Sequence, residues 1–328
     1  MWIGIELTAS FIKHGLFDGQ RLIHREVTGI HNRESDRLIE QILQILENAR
    51  NREKVRGIGI AIPAQVDPDH HEILESPALP AIEGTGFLHR IGEQLPVAVT
   101  VGSDVQMAAW GEYHFHPEIR QIRAQNVIYI APEFPFRVGL VLGGRLYTGT
   151  LGLAGHLGHF SVSPEGPKCT CGRTGCVQTW ITPAGLVTAV QSVLWKYPQS
   201  RLRQIRIENL RPEDVFEAAR FADRAAMEVM DTSARVLGIL LGCLTNMFQP
   251  DAILFGGTVF ASNDFFVQKA WNHAREIAIP RASRHCVLLH SHLKYFAAVW
   301  GAGLLAMQRD ATARKSARSS RKTRPRRE

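Results

Sequence analysis

No run of 18 or more consecutive apolar residues occurs in the 328-residue chain, so no membrane-spanning helix is expected. The opening Met1-Trp2-Ile3-Gly4-Ile5-Glu6 lacks the basic region, long apolar stretch and cleavage site of a secretory signal, and reads as a strand. No repeat of short fixed period is present, which argues against a solenoid. Cysteine is scarce at five residues, three of them clustered. The expected compartment is the reducing cytoplasm, where clustered cysteines are more often metal ligands than disulfides. Charge asymmetry is also lacking over most of the chain. The net +7 lies entirely in Arg309–Glu328, with nine Lys or Arg and two acids, leaving 29 bases and 29 acids elsewhere. That tail has almost nothing apolar to bury, so residues 309–328 are expected to be a disordered, solvated tail without a dedicated partner. Weak attachment to nucleic acid or an anionic surface is the functional alternative. No sequence-specific nucleic-acid partner and no membrane partner are expected.

What is present is an alternation of strands and helices in a chain long enough for two full cores. Ile3–Phe17 and Arg21–Val27 suggest antiparallel strands joined at Asp18-Gly19-Gln20. Leu38, Ile42, Ile45, Leu46 and Ala49 mark an amphipathic helix, and Gly57–Ile62 a buried strand. Pro96–Val101 reads as a strand running into Gly102-Ser103-Asp104 and a helix carrying Met107, Ala108, Trp110 and Tyr113. A second α/β block has strands at Val127–Ile130, Val138–Leu142 and Asp251–Phe255. Its helices start at Thr182-Pro183, a capping hydroxyl before a proline, and run over Ala225–Phe248 up to Pro250. The last helix is expected from about Ala297 to Gln308. The divisions drawn are an N-terminal α/β lobe over 1–115 with the closing helix 297–308, a C-terminal α/β lobe over 116–296, and the tail.

The strongest local signal is His159 followed by Cys169, Cys171 and Cys176. One imidazole and three thiols close a tetrahedral zinc site, and the intervening glycines let the chain turn tightly enough for the sulfurs to converge. A full complement leaves no position for water, so the ion would be structural. A redox pair or chance clustering is the alternative. Cys243 and Cys286 sit in apolar contexts and read as core residues.

A His followed by Cys-x-Cys-Gly-x-x-Gly-Cys resembles the signature of the ROK family of repressors, open reading frames and sugar kinases. Gly57–Asp67 is similar to that family's early strand and loop, and Ser76-Pro77-Ala78-Leu79-Pro80 to its sugar-side loop. Ser103-Asp104 before a helix with Trp110-Gly111-Glu112 resembles its Asn-Asp motif. Gly256-Gly257-Thr258 and Gly301-Ala302-Gly303-Leu304-Leu305-Ala306 resemble the adenosine loop and closing helix. These motifs span roughly residues 1–308 in order. The branches most resembled are allose kinases, N-acetylmannosamine kinases and glucokinases.

The resemblance implies an α/β, two-lobed, actin-like or hexokinase-type (ribonuclease H-like) fold with a structural zinc, and a homodimer. It implies ATP-dependent phosphorylation of a hexose or N-acetylhexosamine 6-hydroxyl with Asp104 as the base, since a carboxylate in reach of the hydroxyl takes its proton as the phosphoryl departs. Without the resemblance Asp104 reads as the N-cap of its helix. Ser103, Ala78, His156, His159 and Gln178 stand at sugar-side positions. His156 replaces a common Glu, Gln178 another Glu, and Ser103 and Ala78 replace Asn residues, so the preferred sugar is not expected to be plain glucose. A structural role for His156 beside the zinc shell is its alternative. Thr8, Arg137, Gly139, Gly256, Gly257 and Thr258 stand on the nucleotide side.

There the pattern departs from the family. Its Asp-x-Gly-Gly-Thr-Lys aligns with Gly4-Ile5-Glu6-Leu7-Thr8-Ala9, of which only Thr8 matches, while Glu6 brings negative charge and Leu7 bulk. The second phosphate loop reads Glu133-Phe134-Pro135-Phe136-Arg137-Val138-Gly139, in which Pro135 removes an amide and the phenylalanines fill phosphate space; Arg137 is a candidate substitute contact. Two classes follow: a hexose kinase using ATP and Mg2+, and a non-catalytic sugar-binding or regulatory protein with weak or absent ATP binding. A conventional repressor is disfavoured because the chain begins directly with the kinase-lobe strand.

Overall fold

The computed structural model describes the chain except residues 51–53, 68–71, 96, 134, 258–262 and 323–328, with the backbone alone at 50 and 313–322. It divides into two compact units. The first comprises Met1–His116, Thr148–Leu153 and Tyr295 onward; the second comprises Pro117–Tyr147 and Ala154–Lys294.

The first unit is built on strands β1 (Trp2–Leu7), β2 (Phe11–Asp18), β3 (Arg21–Gly29), β4 (Gly57–Ile62) and β7 (Ala98–Ser103), ordered β3-β2-β1-β4-β7. A separate ribbon pairs β5 (Gln65–Val66) with β6 (Ile73–Glu75). The hairpin half is antiparallel, and β1, β4 and β7 are parallel. Ile3, Ile5, Ile58, Ile60 and Ile62 are buried because the parallel strands are covered. Helices α1 (Ser35–Arg50), α2 (Phe87–Glu93) and α3 (Asp104–Phe115) belong to this unit, with the C-terminal helix Ala297–Lys322. The latter packs backbone against backbone. A Cβ on Gly59 would lie 1.9 Å from Ala302 O, and one on Gly4 2.1 Å from Val299 O. On the helix itself, a Cβ on Gly301 would lie 1.8 Å from Met107 O in α3. The Gly301-Ala302-Gly303 motif thus brings the helix into contact with sheet and α3 at distances that no side chain permits.

Three expectations are corrected here. Ile3–Phe17 is not one strand: it breaks at Thr8-Ala9-Ser10, where the Thr8 hydroxyl closes a turn between β1 and β2. The strand expected over Pro96–Val101 is β7, Ala98–Ser103, and Pro96 lies outside the described residues. The last helix does not stop at Gln308 but continues to Lys322. Ala, Arg and Lys are strong helix formers, and extending an existing helix avoids the nucleation cost that an isolated segment carries.

The second unit repeats the plan with β8 (Val127–Ala131), β9 (Arg137–Leu142), β10 (Arg145–Tyr147), β11 (Ala252–Phe255) and β12 (Val287–His290), ordered β10-β9-β8-β11-β12. Its helices are α4 (Pro117–Gln121), α5 (Gln178–Ile181), α6 (Pro183–Val193), α7 (Pro212–Arg220), α8 (Arg224–Phe248), α9 (Asp264–Ile277) and α10 (Pro280–His285). α6 starts as its capping pair predicts, with Thr182 Oγ1 accepting the Gly185 amide at 3.2 Å. α8 is capped by Asp223, which accepts the amides of Ala225 and Ala226 at 3.0 and 3.1 Å. Leu237, Leu240, Leu241 and Leu244 on α8 join the apolar core. Cys286 is buried as expected of a core residue, whereas Cys243 is only half-buried. No helix among the described residues is long and apolar enough to cross a membrane.

Candidate functional site

In the first unit, β7 ends at Ser103 and α3 begins at Asp104. Asp104 Oδ1 accepts the Val105 amide at 2.7 Å and the Ser103 hydroxyl at 3.3 Å. The carboxylate therefore stands in the first turn of a helix, where the macrodipole favours negative charge. The cap position itself is Ser103, so Asp104 is not the N-cap. Half-buried Ala78 follows Ser76, whose hydroxyl donates to Pro63 O at 3.3 Å and whose amide donates to Glu83.

The β1–β2 turn is closed on itself. Thr8 Oγ1 donates to Phe11 O at 3.0 Å and accepts the amides of Phe11 and Ser10 at 2.9 and 3.3 Å. Two amides that a phosphate loop would present are thereby bonded internally. Glu6 does not add free negative charge, because the β1–β2 register sets it opposite Lys13. The two form a buried ion pair at 2.9 Å. Lys13 also donates to Tyr295 O at 3.0 Å and lies 3.7 Å from the centre of the Tyr295 ring. Such a pair is neutral as a unit, and losing one partner would strand a buried charge.

In the second unit, His159, Cys169, Cys171 and Cys176 converge, their ligand atoms all lying within 4.8 Å of one another. Cys169 Sγ lies 3.7 Å from His159 Nδ1, and Cys171 Sγ 3.7 Å from Cys176 Sγ. Zinc–sulfur bonds of about 2.3 Å in a tetrahedron put sulfurs about 3.8 Å apart, a spacing that the Cys171–Cys176 pair matches. The sulfur separation is far beyond a disulfide bond of about 2.05 Å. Gly175, at φ 69°, permits this: a Cβ there would lie 1.7 Å from Ser163 O. Burial pushes the Cys169 thiol up, but hydrogen bonds from Cys171, His159 and Cys176 outweigh it and bring the thiol down to about 6. Burial, hydrogen bonds to Cys171 and Cys169, and the Cys169 charge push Cys176 up to about 12. Three packed thiols cannot all ionise without a cation to compensate them.

Gln178 is buried at the start of α5 and donates its amide to Cys169 Sγ at 3.2 Å. It sits as an outer partner of the cysteine cluster, a place that spacing alone did not suggest. His156 stands at the residue before the short 3-10 turn Leu157–His159 that carries the cluster imidazole.

The nucleotide-side expectations fare differently. Arg137 and Gly139 are not in a loop: both lie in β9, paired with Ala131 and Tyr129, and the Arg137 residue is buried. Phe136 does not fill phosphate space, because it is 1 % exposed within the apolar core of this unit. Strand formation by alternating Arg137, Val138, Gly139 and Leu140 won over the loop reading. Phe134 and Thr258 lie outside the described residues. Gly256 and Gly257 follow β11 and meet side chains of their own unit. A Cβ on Gly256 would lie 1.9 Å from the Tyr129 hydroxyl, and one on Gly257 2.3 Å from Glu133 Oε1. The glycine turn thus has a phenol and a carboxylate against it.

The ROK family model matches residues 2–309. The chain belongs to the ROK family. It is 27 % identical over 264 residues to a glucokinase of Halalkalibacterium halodurans, covering 80 % of this chain and 79 % of that protein. It is 31 % identical over 226 residues to an N-acetylmannosamine kinase of Escherichia coli O1:K1, covering 67 % and 70 %. The crystal structure of a ROK family transcriptional regulator, described as a homologue of the E. coli MLC protein, superposes with a TM-score of 0.82 at 23 % identity, over 94 % of this chain and 78 % of that one. Both kinases and regulators thus resemble this ROK chain, and the fold is the α/β fold of ROK sugar kinases.

The paired glycines of the first phosphate motif belong in a turn, and the turn here is Thr8–Ser10. Moving the alignment by two residues sets Glu6 over the motif's Asp, Thr8 and Ala9 over its glycines, Ser10 over its Thr and exposed Phe11 over its Lys. The acidic residue is then retained in kind, and the lost features are the glycines and the lysine.

Proposed function

We propose that this ROK protein binds a hexose or N-acetylhexosamine as a sensor or regulator and does not catalyse phosphoryl transfer from ATP. The observation that carries this reading is the Thr8 turn, whose hydroxyl takes up the Ser10 and Phe11 amides while Phe11 stands where the family has a lysine. Phosphate binding needs backbone donors and a cation there. The kinase reading is second. It rests on Asp104, a carboxylate held at a strand-to-helix junction, from which a base accepts a sugar hydroxyl proton. In either reading Asp104 and Ser103 are assigned to sugar hydroxyls, as is His156.

We further propose that His159, Cys169, Cys171 and Cys176 hold a structural zinc, with Gln178 bonded to one thiolate. The ion would tie the segment that carries His156. The cysteine chemistry fits a reducing, cytoplasmic setting.

The test is calorimetry with glucose, N-acetylmannosamine, N-acetylglucosamine and allose on the full chain. At least one should bind, and Asp104→Asn and His156→Ala should each weaken it by roughly tenfold, the worth of about 1.4 kcal/mol. Absence of binding by the whole panel would reject the sugar-binding reading and the kinase reading together.

A further inference from the structure

We propose that His14, His24 and Glu26 form a site for a divalent transition-metal ion of the zinc type on the β2–β3 hairpin, separate from the cysteine cluster. The antiparallel register pairs His14 with Glu26 and Leu16 with His24. Side chains two residues apart on a strand share a face, so all three donors are delivered to one side of the hairpin. His14 Nε2 lies 3.8 Å and His24 Nε2 3.6 Å from Glu26 Oε2, and the three donor atoms lie within 4.8 Å of one another. Tetrahedral nitrogen and oxygen ligands at about 2.0–2.1 Å from zinc stand about 3.4 Å apart, so the two edges to the carboxylate need to close by less than about half an ångström. The side chains differ in freedom in the way that closure requires. His14 is fixed at 8 % side-chain exposure, while His24 at 35 % and Glu26 at 57 % have room to swing.

The surroundings favour a cation. The three residues line a cleft of about 460 Å³ that α1 walls with Gln41, Gln44 and Asn48, and no Lys or Arg lines it among the described residues. Gln41 donates its amide to Gly29 O at 3.3 Å, while its buried Oε1 accepts no hydrogen bond. Two imidazoles and one carboxylate are a donor set that leaves a fourth position for water or a small ligand, and the α1 amides line the cleft beside it. Neither the kinase nor the regulator reading of the protein uses these residues, so the inference stands independently of the proposed function.

Equilibrium dialysis of the full chain against buffered micromolar zinc tests it, comparing wild type with His24→Ala/Glu26→Gln. Wild type should hold about one ion per chain more than the double variant, whatever the occupancy of the cysteine cluster. Each single substitution should weaken that uptake by at least about 10–100-fold, the loss that even outer-shell changes cause. If the double variant fails to fold, Glu26→Gln alone, altering an exposed side chain, makes the same comparison. Equal zinc content in wild type and variants, at any free zinc tested, overturns the site.

Discussion

Replacing Cys171 by serine isolates the role of the cysteine cluster, because Cys171 is its exposed member and serine fits without disturbing a core. The structure allows the magnitude to be worked out. The ion would cross-link His159 to Cys176, closing a loop of the size for which a covalent cross-link removes about 3 kcal/mol of unfolded-state freedom. Local order already limits that freedom, through the bridges Ser161↔Cys176 and Lys168↔Thr174 and the bond from the Cys169 amide to Arg173 O at 2.7 Å. About 3 kcal/mol is therefore an upper figure for the closure alone. In a unit of this size 1 kcal/mol moves Tm by about 2–4 °C, so Cys171→Ser should lower Tm by up to about 12 °C. Elemental analysis should give about one zinc per chain from this cluster, falling markedly in the variant. Because protons compete for the thiolates, zinc should be released as the pH falls. A Cys171→Ser protein with wild-type zinc content and unchanged melting would refute the reasoning.

Two further outcomes follow from single residues. Asp251 accepts the Gln125 and Asn126 amides at 2.8 and 2.9 Å and pairs with His285 at 2.8 Å. Burial raises its carboxyl, but those two amides and His285 together hold it below the ordinary aspartate range. A depressed folded value contributes stability above the unfolded value that is lost as the pH falls through the folded one. Asp251→Asn should therefore destabilise the protein at neutral pH by about 1–3 kcal/mol and flatten its acid dependence below pH 4, read by urea melts across pH. Gly59→Ala should destabilise by more than about 2 kcal/mol, because its Cβ would meet the Ala302 backbone rather than a movable side chain; a melting curve like that of wild type would contradict the close packing of the C-terminal helix.

Much of the fold was legible where chemistry demands local spacing. The Cys169, Cys171 and Cys176 triplet with His159 could be read directly, since ligand distance constrains residue separation. So could Thr182-Pro183, where cap and proline act within one turn. The Gly301 and Gly303 pair was recognisable as a motif, yet its reason lies across space, in Gly4, Gly59 and the carbonyl of Met107. The bond of Gln178 to the Cys169 thiol is not legible in the sequence, because it depends on how α5 enters the cluster rather than on spacing. The place of the β1–β2 turn is not legible in the sequence because Ile3–Phe17 is apolar enough to pass for a single strand. Only the Thr8 hydroxyl bonds reveal where it turns. His14 and Glu26 are twelve residues apart in sequence, and the β2–β3 pairing, with its irregularity at Leu16/Phe17, determines that they meet. The helix through Lys322 was missed because charge and lack of apolar residues signal disorder, while continuation from a packed helix needs only propensity.

The central claim concerns the nucleotide. Phosphoryl transfer from MgATP to the sugar that calorimetry identifies tests it most directly, measured as ADP release by the full-length wild type. The closed Thr8 turn and Phe11 in the lysine position predict no sugar-dependent ADP release above background. Sugar-dependent turnover that Asp104→Asn abolishes would contradict the account and establish a kinase.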